Sequence, residues 1–244
     1  MVRGIYSSAA GMIAQYKKLD VLGDNAANVN TPGFKQSSLN LVTFGQEMAM
    51  NMSQNSSIGS MPMNVTTGSE STDFSEGTLS QTGINTDLGI SGSGLFEVQS
   101  STGGIKYTRA GEFSVDGQGY LALSSGERLV GSNGSPLYVG GNSFNVAQDG
   151  TVTTSSGTAG KIDLYTAQTG TQVVKRADGF YDIASPQTAT GEIKQGWLEG
   201  SNTDVVGNMT DMMATERAFQ GCQEAFQVSD DTFDKLVTQV GTMK

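Results

Sequence analysis

The sequence predicts an α+β chain, with an all-β central domain flanked by N- and C-terminal helices that form a coiled-coil-like domain. Three observations carry this expectation. Apolar and small residues recur in steps of three and four at both ends of the chain. Between them, short strand-length runs alternate with Asp-Gly and Asn-Gly pairs. Glycine is used 33 times in 244 residues while only 16% of residues are charged, a composition suited to a turn-rich β body. The expected organisation is an N-terminal helix within 1–33, an extended connector over 34–76, a β-rich domain over 77–200 and a C-terminal helix within 201–244.

The first helix is expected from about Gly4 to about Val29. Val2, Ile5, Ala9, Met12, Tyr16, Leu19, Gly23 and Ala26 form its stripe, and Asn28, Asn30, Pro32 and Gly33 end it. The following segment has little periodicity. Its Met48, Met50, Met52, Met61 and Met63 suit either an adaptable connector or a thioether surface for a partner. Strand-length runs then follow, such as Leu95–Val98, Gly119–Leu123 and Ile162–Tyr165. Asp116-Gly117, Asn133-Gly134, Asp149-Gly150 and Asp178-Gly179 supply turns, which suits a meandering sandwich or partly open barrel. The last helix is expected from about Thr203, with Ser201 and Asp204 as a capping pair. Its seam runs through Val205, Met209, Met212, Glu216, Phe219, Gln223, Phe226, Asp230, Phe233, Val237 and Val240.

Composition excludes several function classes. The absence of histidine removes Ser-His-Asp and Cys-His catalysis and His-containing zinc sites. The single Cys222 allows no internal disulfide and reads as a thiol beside a helix core. A net charge of -10 disfavours nucleic acid and anionic membranes as partners. No stretch reaches the length of a membrane span, and the N-terminus lacks the pattern of a signal peptide. No catalytic residue, cofactor or metal is expected. Rival readings are a hydrolase using Asp178 and Asp182, and a secreted β-rich adhesin.

The two helices are unequal, at roughly 40 Å and about 60 Å for their expected lengths. The shorter cannot cover the longer, so part of the apolar stripe needs another partner. Ile5, Met12, Tyr16, Leu19, Met209, Met212, Phe219, Phe226, Phe233 and Val237 are therefore the candidate subunit-interface residues. A repeated head-to-tail contact that does not close a ring generates a filament.

The run from Asn25 through Asn28, Asn30, Thr31, Gly33 and Phe34 to Lys35 resembles the N-terminal signature of bacterial flagellar rod and hook proteins. Asp24 and Ala26 depart from that signature, where Asn and a larger aliphatic residue are usual. Further blocks agree in order: Gly77–Thr82 leading to Gly94-Leu95-Phe96, Tyr107–Phe113 with Gly119-Tyr120-Leu121, and Gly196–Asn202 with Glu216–Phe219. Hook proteins are usually longer, with an additional outer domain. This chain therefore resembles a basal-body rod protein of the FlgF/FlgG type; no convincing insertion of the distal-rod kind stands between Leu39 and Val65. The resemblance implies an inner coiled-coil domain from both termini and a structural role as a self-assembling drive shaft. It implies copies of itself and other rod and hook proteins as partners. It also implies export through the flagellar type III apparatus, contact with bushing rings, and a basal-body location in the cell envelope. The terminal helices are expected to order fully only on docking.

Overall fold

The computed structural model describes residues 2–43, 65–100, 103–168, 173–176 and 178–241. The methionine-rich stretch from Met48 to Met63 lies outside them. The chain forms two compact units, one of Met1–Ala27, Ser37–Ser71 and Asp204–Lys244, the other of Asn28–Gln36 and Thr72–Thr203.

The first unit is built on two helices, α1 (Val2–Ala27) and α2 (Val205–Gly241), of 26 and 37 residues. They pack antiparallel. Gly4 stands beside Ser229 and Gly11 beside Cys222, while the Asn208 amide donates to the Leu22 carbonyl at 2.9 Å. A Cβ on Gly11 would stand 3.0 Å from Cys222 Sγ, so the missing side chain is what admits the thiol. The face of α2 turned to α1 carries Asn208, Met212, Thr215, Phe219, Cys222, Phe226 and Ser229, in alternating steps of four and three. This differs from the expected seam. The column of Met212, Phe219 and Phe226 is as anticipated, but its companion column is Thr215, Cys222 and Ser229. Glu216, Gln223 and Asp230 are exposed.

The physical reason is that small hydroxyl residues need no external partner in a helix. Thr215 Oγ1 donates to the Asp211 carbonyl at 2.7 Å and Ser229 Oγ to the Ala225 carbonyl at 2.8 Å. A hydroxyl satisfied on its own backbone can be covered at little cost, whereas a carboxylate cannot. The helix cap also differs. Asp204 accepts from the Val206 amide at 3.1 Å and so caps α2, while Ser201 bonds Thr203, outside the helix.

Two stretches of the segment read as a connector are paired strands, Ser37–Thr43 and Val65–Thr72. The first packs on α1.

The second unit is the β body. Leu95–Gln99 lies centrally and pairs antiparallel with Ile105–Thr108, Arg128–Leu129 and Leu164–Ala167 in a nine-stranded sheet. A three-stranded sheet, Phe144–Val146, Thr151–Thr154 and Gly157–Lys161, and two strand pairs complete it. Leu88, Ile90, Phe96, Val98, Leu121, Leu129, Val152, Ile162 and Ile193 share one core. Gly134, Gly150 and Gly179 turn with positive φ, as their Asn-Gly and Asp-Gly pairs anticipate. The turn at Asp116 works otherwise. Gly119, not Gly117, takes positive φ, because Asp116 Oδ1 accepts from both Gln118 and Tyr120 amides and lengthens the loop.

Candidate assembly surface and the anchored N-terminal motif

The motif after α1 divides between the two units. Asn25, the last buried side chain of α1, makes a two-point clamp on Ser37. Its Nδ2 donates to the Ser37 carbonyl at 2.7 Å and its Oδ1 accepts from the Ser37 amide at 3.0 Å. The amide group thus plays the part of a neighbouring strand, holding the first hairpin strand against the helix. Asn28 and Thr31 meet each other, side chain to side chain at 3.2 Å, and both Asn30 and Thr31 are exposed. Here the turn-forming role of these residues is what the geometry displays.

Within the β body, Gly33 is held at φ +71 with its amide donating to the Glu199 carbonyl at 2.8 Å. A Cβ there would lie 2.4 Å from the Arg109 backbone, so both the conformation and the space require glycine. Phe34 lies under Lys175, whose ammonium is 4.7 Å from the ring centre. The next residue, Lys35, is fully buried. Its ammonium donates to Glu199 Oε1 at 2.7 Å and to the Ser75 carbonyl at 2.6 Å. Glu199 Oε1 also accepts from the Gly77 amide at 2.8 Å, and Oε2 accepts from Arg109 Nε. The Arg109 guanidinium spends its other donors on the carbonyls of Gly94, Ile90 and Gly92.

The electrostatics follow from that arrangement. Burial pushes the Glu199 carboxyl up, but hydrogen bonds from Arg109 and Lys35 outweigh it and hold the group below the ordinary glutamate range. Burial lowers the Lys35 ammonium below the usual lysine value despite the Glu199 carboxylate beside it. Two cations and one anion therefore share a dry site, closed by backbone carbonyls that absorb the surplus positive charge. Sequence reasoning quoted Lys35, Arg109 and Glu199 as letters of the resemblance and gave them no role. The available signal was that Lys35 and Glu199 each stand as a lone charge in a block of glycine, aromatic and small residues, whereas Arg109 shares its block with Glu112.

The first unit shows a different surface. Of the candidate interface residues, Ile5, Met12, Leu19, Met212, Phe219 and Phe226 are half-buried in or beside the helix pair, whereas Tyr16, Met209, Phe233 and Val237 are exposed. Tyr6, Ile13, Val206 and Met213 are exposed as well. A groove of about 390 Å³ lies along one side of the pair, lined by Tyr16, Leu19, Asp20, Gly23, Asp24 and Met212. Asp178 and Asp182, the carboxylates of the hydrolase reading, are each tied to a cation, Lys106 and Arg176 respectively, at 2.7 Å. Among the described residues no cluster of potential metal ligands occurs, and no helix is long and apolar enough to cross a membrane.

A β body bracketed by paired terminal helices, with apolar side chains of both helices open to solvent, is the build of a subunit made to join others. Comparison with known proteins specifies which. Residues 5–35 match the flagella basal body rod protein family, residues 89–154 the flagellar hook protein FlgE/F/G D1 domain, and residues 194–239 the flagellar basal body rod FlgEFG protein C-terminal region. The flagellar basal-body rod protein FlgG of Bacillus subtilis is 31% identical over 97% of this chain and 98% of its own length. The flagellar hook-basal body complex protein FlhO of the same organism is 28% identical, and the flagellar basal-body rod protein FlgF of Caulobacter vibrioides 27%, each over 99% of both chains. The chain belongs to the flagellar basal-body rod protein family. It is a structural subunit of the basal-body rod, and its place is the flagellar basal body.

Proposed function

We propose that this chain stacks with copies of itself into a helical tubular shaft that carries torque from motor to hook. In this reading α1 and α2 form an inner coiled-coil layer, and the β body forms the outer wall. One observation carries the proposal: the helix pair leaves large apolar side chains of both helices in water, at Ile13, Tyr16, Val206, Met209, Met213 and Val237. A surface of that kind on a soluble protein marks an interaction site. Each such side chain covered by a neighbour contributes on the order of 2 kcal/mol, and repetition along a shaft multiplies the contribution. Other rod and hook proteins would continue the same shaft at its ends. The flagellar export apparatus would deliver the chain, and bushing rings would surround the finished rod.

Deleting the gene tests the reading. The expected result is cells without complete hook-basal bodies by electron microscopy, restored by the wild-type chain and not by Phe226→Asp. Deletion cells that swim and carry complete rods would end the proposal.

A further inference from the structure

The strands of the β body fall into two sets by where their partners lie in the chain. The nine-stranded and three-stranded sheets draw their strands from between Leu95 and Thr188. Leu79–Gln81 instead takes its ladder from Trp197–Glu199, and Leu88–Ser91 from Glu192–Gln195. The stretch from Glu192 to Asn202 gathers other early segments as well. The Gly196 carbonyl accepts from the Thr82 amide at 2.8 Å, and the Gly200 amide donates to the Thr78 carbonyl at 2.9 Å. Asn202 Oδ1 accepts from the Gln36 amide at 2.8 Å, while its Nδ2 donates to the Asp73 carbonyl at 2.9 Å. The Asp73 amide closes that ring on the Gln36 carbonyl at 2.8 Å. Residues 33–36, 73–91 and 192–202 thus form a belt whose segments are bonded to one another.

The remaining strands form a frame with its own core. Phe96, Val98, Leu121, Leu129, Val152 and Leu164 lie on frame strands, whereas the belt adds Leu88, Ile90 and Ile193. Polar contacts also join the two, among them the Leu88 amide on the Gly111 carbonyl at 2.9 Å and Gln195 on Phe144 and Val146. Glu199 joins them by charge, because its carboxylate is shared between Lys35 of the belt and Arg109 of the frame. Without it, two buried cations lose their counter-charge. The belt also holds passages of the chain between the two units. The chain leaves the body's unit after Gln36 and after Thr203 and re-enters it at Thr72, each next to a member of the Gln36–Asp73–Asn202 ring.

We infer that the belt is a latch: it opens as one cooperative unit while the frame stays folded, with Glu199 as its clasp. Opening frees the three passages and leaves the frame its core. Local openings of contiguous structure, below the free energy of global unfolding, follow such divisions. The order is set by the packing. Leu88, Ile90 and Ile193 depend on frame side chains for their burial, so the frame does not open beneath a closed belt. The inference concerns the body of a single copy and stands apart from the rod-subunit reading.

Native-state hydrogen exchange on the full chain, at rising guanidinium below the unfolding transition, tests it. Amides of Leu79–Gln81, Leu88–Ser91, Glu192–Gln195 and Trp197–Glu199 should merge into one opening event. That event should be at least about tenfold more frequent than the opening of Phe96, Val98, Leu121 and Val152. Two variants then separate the units. Leu121→Ala, in the frame core, should raise frame opening by about thirtyfold or more and leave the belt within about threefold. Glu199→Gln should raise belt and frame opening alike by about a hundredfold or more, because the frame opens only through the open belt. A Glu199→Gln chain whose belt is unprotected from the start while its frame stays protected would support the latch equally. If Leu121→Ala raised belt and frame opening by the same factor, the body would be a single unit and the proposal would fall. Belt strands that open at unrelated frequencies would also overturn it. Should Leu121→Ala not fold, Leu121→Val poses the same question with a several-fold effect on the frame.

Discussion

The β body and the helix pair treat their difficult groups in opposite ways. The body buries two cations and a carboxylate, Lys35, Arg109 and Glu199, and gives each of them partners from its own chain. The helix pair buries little, and at several sites its hydroxyls, Thr215 and Ser229 among them, bond back to their own helix. Its aromatic and aliphatic side chains meanwhile face water. One region is complete as a single copy; the other settles hydroxyls on its own backbone, leaves the buried Asn208 Oδ1 without a hydrogen bond, and has its apolar groups waiting. That division suits a subunit whose wall must be rigid before assembly and whose helices gain most of their burial from neighbours.

The largest effect should come from breaking the buried cluster. Glu199→Gln leaves two cations without a counter-charge and should cost the β body about 3–5 kcal/mol, read as a fall in its thermal or denaturant midpoint. If the loss is below ~1 kcal/mol, the cluster is not what holds the motif in the body. Gly33→Ala comes next, at about 3 kcal/mol or more, because the new Cβ meets the Arg109 backbone at 2.4 Å in a left-handed conformation.

Asn25→Ala should cost about 2–3 kcal/mol, since both the amide and carbonyl of buried Ser37 lose their bonds. Asn30→Ala, exposed three residues beyond the end of α1, should stay within ~0.5 kcal/mol. The two variants together separate a structural asparagine from a bystander in one motif.

Acid should act on the body in a defined direction. The folded Glu199 carboxyl lies below its ordinary value of 4.5, so its contribution is fully present above that value and is lost as pH falls through the lower folded one. Unfolding midpoints measured down the acid range should fall for the wild-type body and fall less steeply for Glu199→Gln. The smallest effect on the lone chain belongs to Val237→Ser. An exposed site on α2 should leave free-chain stability within ~0.5 kcal/mol while weakening assembly in sedimentation.

These contrasts track what the chain's spacing could disclose. Helix positions were legible from periodicity, to within a few residues at Val2–Ala27 and Val205–Gly241. Turns at Asp149-Gly150 and Asp178-Gly179 were legible because only glycine takes that φ cheaply. The phase of the α2 seam was not. Apolar letters seven apart fix one column, and whether its companion lies three or four residues on depends on Thr215, Cys222 and Ser229, which do not look apolar. The Lys35–Arg109–Glu199 cluster was illegible for another reason: its members are separated by up to 164 residues, and no local pattern links a lone lysine to a distant glutamate. Asn25 was visible as a motif letter, yet its clamp on Ser37 is a contact that only the fold creates.

The central claim is that the body is finished within one copy and the helices are finished by sister copies. Residue-resolved amide hydrogen exchange, on the free chain and on the assembled rod, compares the two directly. The account predicts equal protection of the strands from Leu88 to Glu199 in both samples, and a large gain on assembly in α1 and α2. Helices already as protected in the free chain as in the rod, to the last turn of α2, would contradict it.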